Sequence, residues 1–445
     1  MSNRLAALGR NPAIRGIAGV FVMKSSIIVA NFTLIMLAAR VLDTHRFGTF
    51  SIMFSAAGLF CIVATFGQQV SIMRSWNEYV AADDPALLKG ALRFSVAACL
   101  IACAVVAVGF YFWAASTHAT LLAIAATLFL VAQAAVLTSS HLVRTAIGVG
   151  RGDALGSLAV VLPALAYLAA SLAAGAEANL STVFFLFSAG AIAAMLLQFA
   201  FLWRKLRALY PDFTAVKPRY DGAVWRARSF KLWISNGLEA ANQYLDVLII
   251  GYLMSPAVAG AYFVTTRLAN AFAAASDTMH MFSTRHIPDL YYRGEFRQLD
   301  SLLNSVAAIT LAVIVAGMVV VLAGGQFFLM IVNEAYVPYY PALAVLCFGT
   351  AAVAAAGPSG SILMLTGHEG RYLMIIALTV LMRAAGFFVL IPIFGIMGAV
   401  SATTISFIFL ATTLRHFSKK LAGLDGSVAR LMPVRKGAPC ASPAE

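Results

Sequence analysis

The chain has 445 residues, 61% of them hydrophobic and 11% charged, with a formal net charge of +13 and a mean hydropathy of +0.88. A soluble globular protein of this length has no core large enough for that much apolar surface, so the composition excludes one. Repeated apolar runs of spanning length indicate instead a polytopic α-helical membrane protein, without the alternation over about ten residues that marks a β-barrel.

Twelve spans are predicted, at 17–39, 47–72, 92–114, 118–139, 154–175, 179–203, 229–253, 257–282, 301–324, 341–365, 371–393 and 394–416. Each is long enough for about 30 Å of hydrocarbon with some tilt. The residues before the first run include Arg4, Arg10 and Arg15 and form no evident cleavable signal, so that run reads as a retained anchor. With the N-terminus inside, cytoplasmic segments hold 25 of the 31 basic residues, extracytoplasmic loops hold Arg40 and Arg46, and four lie within spans. This bias predicts cytoplasmic termini and accounts for the net charge as topology, which removes the case for nucleic-acid binding. The expected organisation is a six-helix lobe over 1–203, a basic cytoplasmic linker over 204–228, a second lobe over 229–416 and a disordered cytoplasmic tail over 417–445. Outer loops are predicted to be short, the longest, about 16 residues, lying between spans 9 and 10. Loops so short are too small to build an external catalytic domain.

An internal repeat runs through the sequence. Met73 aligns with Thr284, which places Arg74 on Arg285, Glu78 on Asp289 and Leu88 on Leu299. VLDTHRFGTF (41–50) resembles YLMSPAVAGAY (252–262) with Gly48 opposite Gly260, and IGVGRGD (147–153) resembles TGHEGRY (366–372). Copies separated by six spans share one orientation, so the repeat is parallel.

Span 7 carries Asn236, Glu239, Gln243 and Asp246 at intervals of 3, 4 and 3 residues. At about 100° per residue these fall within an arc of about 80° on one helical face. A charge at the centre of a membrane helix costs at least about 2.5–3.5 kcal/mol and survives when it faces a bundle interior or a wet cavity. Span 1 adds Lys24 and Asn31, and span 8 adds Arg267, Asn270 and Asp277; Ser51, Ser55, Gln68 and Gln69 extend the pattern into span 2. The functional reading is a substrate cavity in which Lys24 and Arg267 meet an anionic ligand such as a phosphate, with Glu239 and Asp246 available for ion coupling. The structural reading is that Lys24, Arg267 and Arg383 pair with Glu239, Asp246 or Asp277 to hold helices together. Arg383, alone in span 11, suits pairing at least as well as a cavity. Lys231 reads as a snorkelling anchor.

Other motifs exclude rather than suggest. Cys61, Cys99, Cys103 and Cys347 lie in apolar runs and Cys440 in the tail, with no ligand partners nearby. The seven histidines are scattered, Asp83-Asp84 sits in a short turn before Pro85, and there is no GxxxxGKS/T phosphate loop. No metal or cofactor is implied. GPSGS at 357–361 interrupts span 10, while Pro163 and Pro392 can bend spans 5 and 11.

LAARVLDTHRFGTFS and LDVLIIGYLMSPAVAGAYFVTTRLA resemble Wzx-type polysaccharide flippases, and LIPIFGIMGAVSATT is similar to their P-x-x-G-x-x-G-A signature near the last span. These flippases belong to the polysaccharide transporter branch of the multidrug/oligosaccharidyl-lipid/polysaccharide (MOP) superfamily. The resemblance implies an all-α fold of twelve helices in two six-helix lobes around a cavity lined by spans 1, 2, 7 and 8. It implies alternating access for an undecaprenyl-diphosphate-linked oligosaccharide in a bacterial inner membrane, with membrane lipids and other polysaccharide-assembly proteins as partners. Lipid II flippases differ in having more cavity arginines and usually two extra spans. The competing expectations are a MATE-like exporter of small organic cations, which Glu239 and Asp246 would serve, and a membrane polymerase or ligase. Cations at Lys24 and Arg267 argue against the exporter, and short outer loops against the enzyme.

Overall fold

A computed structural model describes residues 12–271 and 287–431. The predicted site residue Asp277 and the repeat anchors Thr284 and Arg285 lie outside the described residues. The chain forms two compact units, Met1–Leu245 and Asp246–Glu445. All regular structure among the described residues is helical, and ten helices are long and apolar enough to cross a membrane. Two predicted spans fall outside that set. Span 7 is a continuous helix whose polar stripe lowers its hydropathy, and span 8 is described only as the 16 residues Pro256–Ala271.

The first unit begins with α1 (Pro12–Val41) and α2 (Thr44–Ala64). Asp43 caps α2 by accepting from the Arg46 N–H at 2.8 Å, satisfying one of the donors a helix start leaves over. The predicted span 47–72 is not one helix: α2 stops at Ala64, Phe66 and Gly67 take φ of 49° and 70°, and α3 (Gln68–Ala81) follows. A Cβ on Gly67 would lie 2.6 Å from the Ser229 carbonyl, so only glycine permits the approach. Next come α4 (Pro85–Thr117), α5 (Thr120–Ala146), the short α6 (Val149–Asp153), a π-helical turn over Ala154–Leu158, α7 (Ala159–Ala174) and α8 (Leu180–Leu209). Pro163 removes an N–H from α7, and α8 comes close there: a Cβ on Gly190 would sit 2.5 Å from the Ala159 carbonyl. Aromatic rings join α2, α5 and α8 in the core, with Phe129 and Phe187 centroids 5.1 Å apart and Phe50, Phe54 and Phe184 around them.

The stretch 204–228, expected as a linker loop, is strapped to α4. Lys89 Nζ donates to the carbonyls of Phe213, Thr214 and Val216 at 3.0, 2.7 and 2.8 Å. Arg219 N–H donates to the Ala86 carbonyl at 3.0 Å, and Trp225 is buried with its indole N–H on the Tyr79 hydroxyl at 2.8 Å. The next helix, α9 (Gly222–Leu253), therefore starts seven residues before the predicted span.

The second unit continues with α10 (Pro256–Ala271), α11 (Phe296–Val332), a 3-10 turn over Glu334–Tyr339, α12 (Tyr340–Ala355), α13 (Ser359–Leu365), α14 (Glu369–Phe394) and α15 (Ile396–Leu421). The predicted 16-residue outer loop is replaced: α11 extends to Val332, Asn333 caps the 3-10 turn, and Tyr340 donates to the Leu322 carbonyl at 2.7 Å. The P-x-x-G-x-x-G-A run turns α14 into α15. Gly395 takes φ of 58°, and a Cβ on Gly398 would lie 2.1 Å from the Leu390 carbonyl.

Two of the three repeat segments share local structure. Asp43 caps α2 and Ser255 caps α10 at 3.4 Å through Val258 N–H, with Gly48 and Gly260 both buried at the fifth helical residue. Gly148 and Gly367, aligned in the repeat, both take positive φ, 148° and 84°, just before a helix starts.

Residues 417–431, expected as tail, pack. Gly357 breaks the predicted span 10 with φ of 61°, and its Cβ would lie 2.0 Å from the Gly426 carbonyl. Val428 is buried against Ile314 and Ala354. Asp425 accepts from the Ser427 N–H and hydroxyl at 3.0 and 2.6 Å and pairs with Arg415 at 3.2 Å. Partial burial pushes the Asp425 carboxyl up, but Ser427 and Arg415 outweigh it and hold its pKa below the usual carboxylate value. A depressed folded-state pKa contributes stability that is present above the unfolded value and lost as pH falls through the folded one. Thermal unfolding of purified protein should therefore show Asp425→Asn melting lower at neutral pH, with the difference from wild type closing as the pH drops below the normal carboxylate range. Gly357→Ala should cost at least about 1 kcal/mol at any pH, since it adds backbone strain and a clash.

Candidate functional site: polar residues at membrane depth

Span 7 folds as a helix, so its polar residues keep the predicted spacing, but their surroundings differ. Glu239 and Gln243 are exposed, Asn236 is partly buried, and the buried Asn236 Nδ2 has no hydrogen-bond partner among the described residues. Asp246 is 7% exposed and belongs to the second unit. There it lies 3.0 Å from Arg383 Nε, and Arg383 is 2% exposed. The Tyr262 hydroxyl donates to Asp246 Oδ2 at 3.0 Å and sits 2.8 Å from Thr403 Oγ1. The Arg383 guanidinium stands 5.4 Å from the Phe407 ring centroid. Helices α9, α10, α14 and α15 are thus joined around one buried ion pair. A carboxylate in an apolar interior is tolerable only with such a cation and further donors.

Lys24 is partly buried on α1, and Asn31 donates to the Ile27 carbonyl of its own helix at 2.8 Å. Arg267 and Asn270 are partly buried on α10, with the Arg267 guanidinium 4.9 Å from the Phe263 centroid, a cation–π distance. Lys24 lies in the first unit and Arg267 in the second.

The span 2 polar residues have a structural role. Ser51 donates to the Phe47 carbonyl at 2.9 Å. Gln68 donates to Ser229 Oγ at 2.7 Å and accepts from Ser95 Oγ at 2.9 Å, while Gln69 accepts from Thr65. These buried amides close the helix break at Gly67. Only Ser55, buried and without a hydrogen-bond partner among the described residues, resembles the pattern expected of the stripe.

Sequence reading missed Tyr262 and Thr403. Tyr262 left a signal, because a phenol in a membrane helix of small residues must find a partner for its hydroxyl; Thr403 left none. Cys61, Cys99, Cys103 and Cys347 are free thiols, and among the described residues no group of three His, Cys, Asp or Glu could hold a metal.

The fold is that of MOP superfamily membrane transporters. An inward-facing multidrug resistance MATE family transporter of that superfamily matches with TM-score 0.68 at 11% identity, over 90% of this chain and 98% of the other. The lipid II flippase MurJ, in an inward closed conformation, matches with TM-score 0.68 at 10% identity, over 90% and 87% of the two chains. A MOP superfamily transporter from Pyrococcus furiosus matches with TM-score 0.63 at 10% identity, over 92% and 95%. These structures are transporters and a flippase rather than enzymes. No curated protein matches the chain in sequence. The family model for polysaccharide biosynthesis proteins matches residues 14–275, more than half of the chain, and the protein belongs to that family.

The Asp246–Arg383 pair makes a reciprocal expectation. Removing one partner strands a buried charge, so Asp246→Ala or Arg383→Ala alone should destabilise the protein by about 3–5 kcal/mol. The double variant Asp246→Asn/Arg383→Gln should recover much of that loss in the yield and melting temperature of detergent-purified protein.

Proposed function

We propose that this protein is a Wzx-type flippase that carries an undecaprenyl-diphosphate-linked oligosaccharide from the cytoplasmic to the outer leaflet of a bacterial inner membrane, for surface polysaccharide assembly. The observation that carries the reading is the family match over α1 to α10 in a chain with a MOP fold. Both termini are cytoplasmic on the distribution of Lys and Arg. Transport proceeds by alternating access, with the prenyl tail left in lipid and other polysaccharide-assembly proteins handing over and receiving the substrate.

In this reading Lys24 and Arg267 are the cations that serve the diphosphate. Arg can grip a phosphate with two parallel hydrogen bonds, and a phosphate leaving water needs fixed positive charge. Asn31 and Asn270 supply neutral hydrogen-bonding groups on the helices of Lys24 and Arg267, and Asn236 and Gln243 supply them on α9. Glu239, which is exposed, is more accessible to a coupling ion than the buried Asp246.

A deletion strain expressing wild type should restore outward display of its undecaprenyl-linked oligosaccharide. Lys24→Ala/Arg267→Ala, inserted at normal levels, should leave that substrate in the inner leaflet. Full activity of the double variant would remove the cation assignment and keep the flippase. Normal display in the deletion strain, with no second flippase present, would remove the flippase and favour a drug exporter or a glycan-assembly enzyme.

A further inference from the structure

The first unit contains a polar cavity of about 480 Å³ lined by Arg46, Thr49, Leu122, Glu177, Ala178, Asn179 and Leu180. Its size falls in the range of small-molecule pockets, about 300–1,000 Å³. The buried floor is Thr49, Leu122 and Ala178, and the exposed rim is Arg46, Glu177 and Asn179. On the topology proposed above, the α1–α2 and α7–α8 connections that form it face outward.

The rim is held in place. Arg46 Nη1 lies 2.8 Å from Glu177 Oε2 and Nε 3.2 Å from Asp43 Oδ2, so one guanidinium is fixed by carboxylates on two sides. Asn179 Oδ1 accepts from the N–H groups of Ser181 and Thr182 at 2.9 and 3.4 Å, and Asn179 N–H donates to the Tyr167 hydroxyl at 3.0 Å. The side-chain oxygen of Asn179 is therefore committed to the helix start, which leaves its amide N–H bonds as the donors it can offer a ligand. Thr49 Oγ1 donates to the His45 carbonyl at 3.1 Å, leaving its lone pairs as acceptors on the floor.

The charge of Arg46 is met by Glu177 and exceeded once Asp43 is counted. A diphosphate gains nothing from such a rim. What the rim does offer is a set of neighbouring donors and acceptors over a floor that is apolar at Leu122 and Ala178, the pattern that matches adjacent sugar hydroxyls and a ring's C–H face. We infer that this cavity is an extracytoplasmic saccharide site that holds an uncharged sugar ring of the carried glycan. The inference rests on the flippase reading and names where its sugar portion is held on the outer side. Arg46 and Asn179 donate, Glu177 and Thr49 accept, and Leu122 carries the ring face.

Saturation-transfer difference NMR on purified full-length protein tests it, with methyl β-glucopyranoside, methyl β-galactopyranoside and N-acetylglucosamine as probes and inorganic pyrophosphate as the charged control. At least one neutral sugar should give a saturable signal, and pyrophosphate should not compete with it. Glu177→Ala changes a side chain that is 81% exposed, so the fold should tolerate it, and Thr49→Val keeps the volume of the floor. Each should weaken sugar binding at least tenfold. Glu177→Cys in intact cells should react with a membrane-impermeant maleimide, more slowly when the bound sugar is present. No saturable signal in wild type, an unchanged signal in both variants, competition by pyrophosphate, or maleimide labelling of Glu177→Cys obtained only after permeabilisation would each overturn the inference. Normal leaflet display without sugar binding would remove this site alone. Sugar binding without leaflet display would remove the flippase and leave the site.

Discussion

In hydrocarbon, a backbone N–H or C=O without a partner costs several kcal/mol, and this constraint decides where the helices are allowed to break. The chain interrupts its spans at 65–67 and 356–358, and distorts one into a π turn at 154–158. Beside each interruption a glycine admits another segment: Gly67 admits the backbone at Ser229, Gly357 admits Gly426, and Gly190 receives the carbonyls of Ala159 and Val160. Gln68, Ser95 and Ser229 then close the first break with side-chain hydrogen bonds. The residues after the last span look like a mere tail, yet Gly426 covers the break at Gly357.

The same constraint divides the polar stripe of α9. Four polar residues on one face look equivalent in a helical projection, yet burial separates them. Asp246 is enclosed and meets Arg383 and Tyr262, while Gln243 and Glu239, one and two turns earlier, are exposed. An enclosed carboxylate with a fixed cation and a fixed phenol donor joins four helices, and exchanging an ion there would require those contacts to open. Burial and exposure thus occupy different turns of one helix.

Much of the fold was legible because lipid simplifies the code. Apolar length placed the helices, and two of the three repeat segments marked positions that the structure repeats in kind, the caps at Asp43 and Ser255 and the positive-φ glycines 148 and 367. Pairing of Arg383 was legible too, since a lone charge in a span needs a partner. The break at Gly67 was not, because FGQQV reads as a continuous apolar run with two glutamines, and only the approach of Ser229 shows what the amides do. The packing of residues 417–431 was hidden for a related reason. Their burial depends on Gly357 and α11, far away in sequence, and polar composition alone reads as tail.

A lipid-linked glycan presents two unlike recognition problems to one chain. Its diphosphate is compact and highly charged, so a few fixed cations at membrane depth hold it, and they do so most strongly where water is scarce. Its sugars are uncharged and offer many weak hydrogen bonds, for which net charge is a hindrance because it attracts competing ions and tightly held water. Arg46 illustrates how the second problem is solved with the residue type that suits the first. Flanked by Asp43 and Glu177, it keeps its directed N–H groups while its charge is cancelled. An arginine with no carboxylate beside it would keep the long-range field that Arg46 has lost. Arginine therefore serves either partner, and the carboxylates around it decide which.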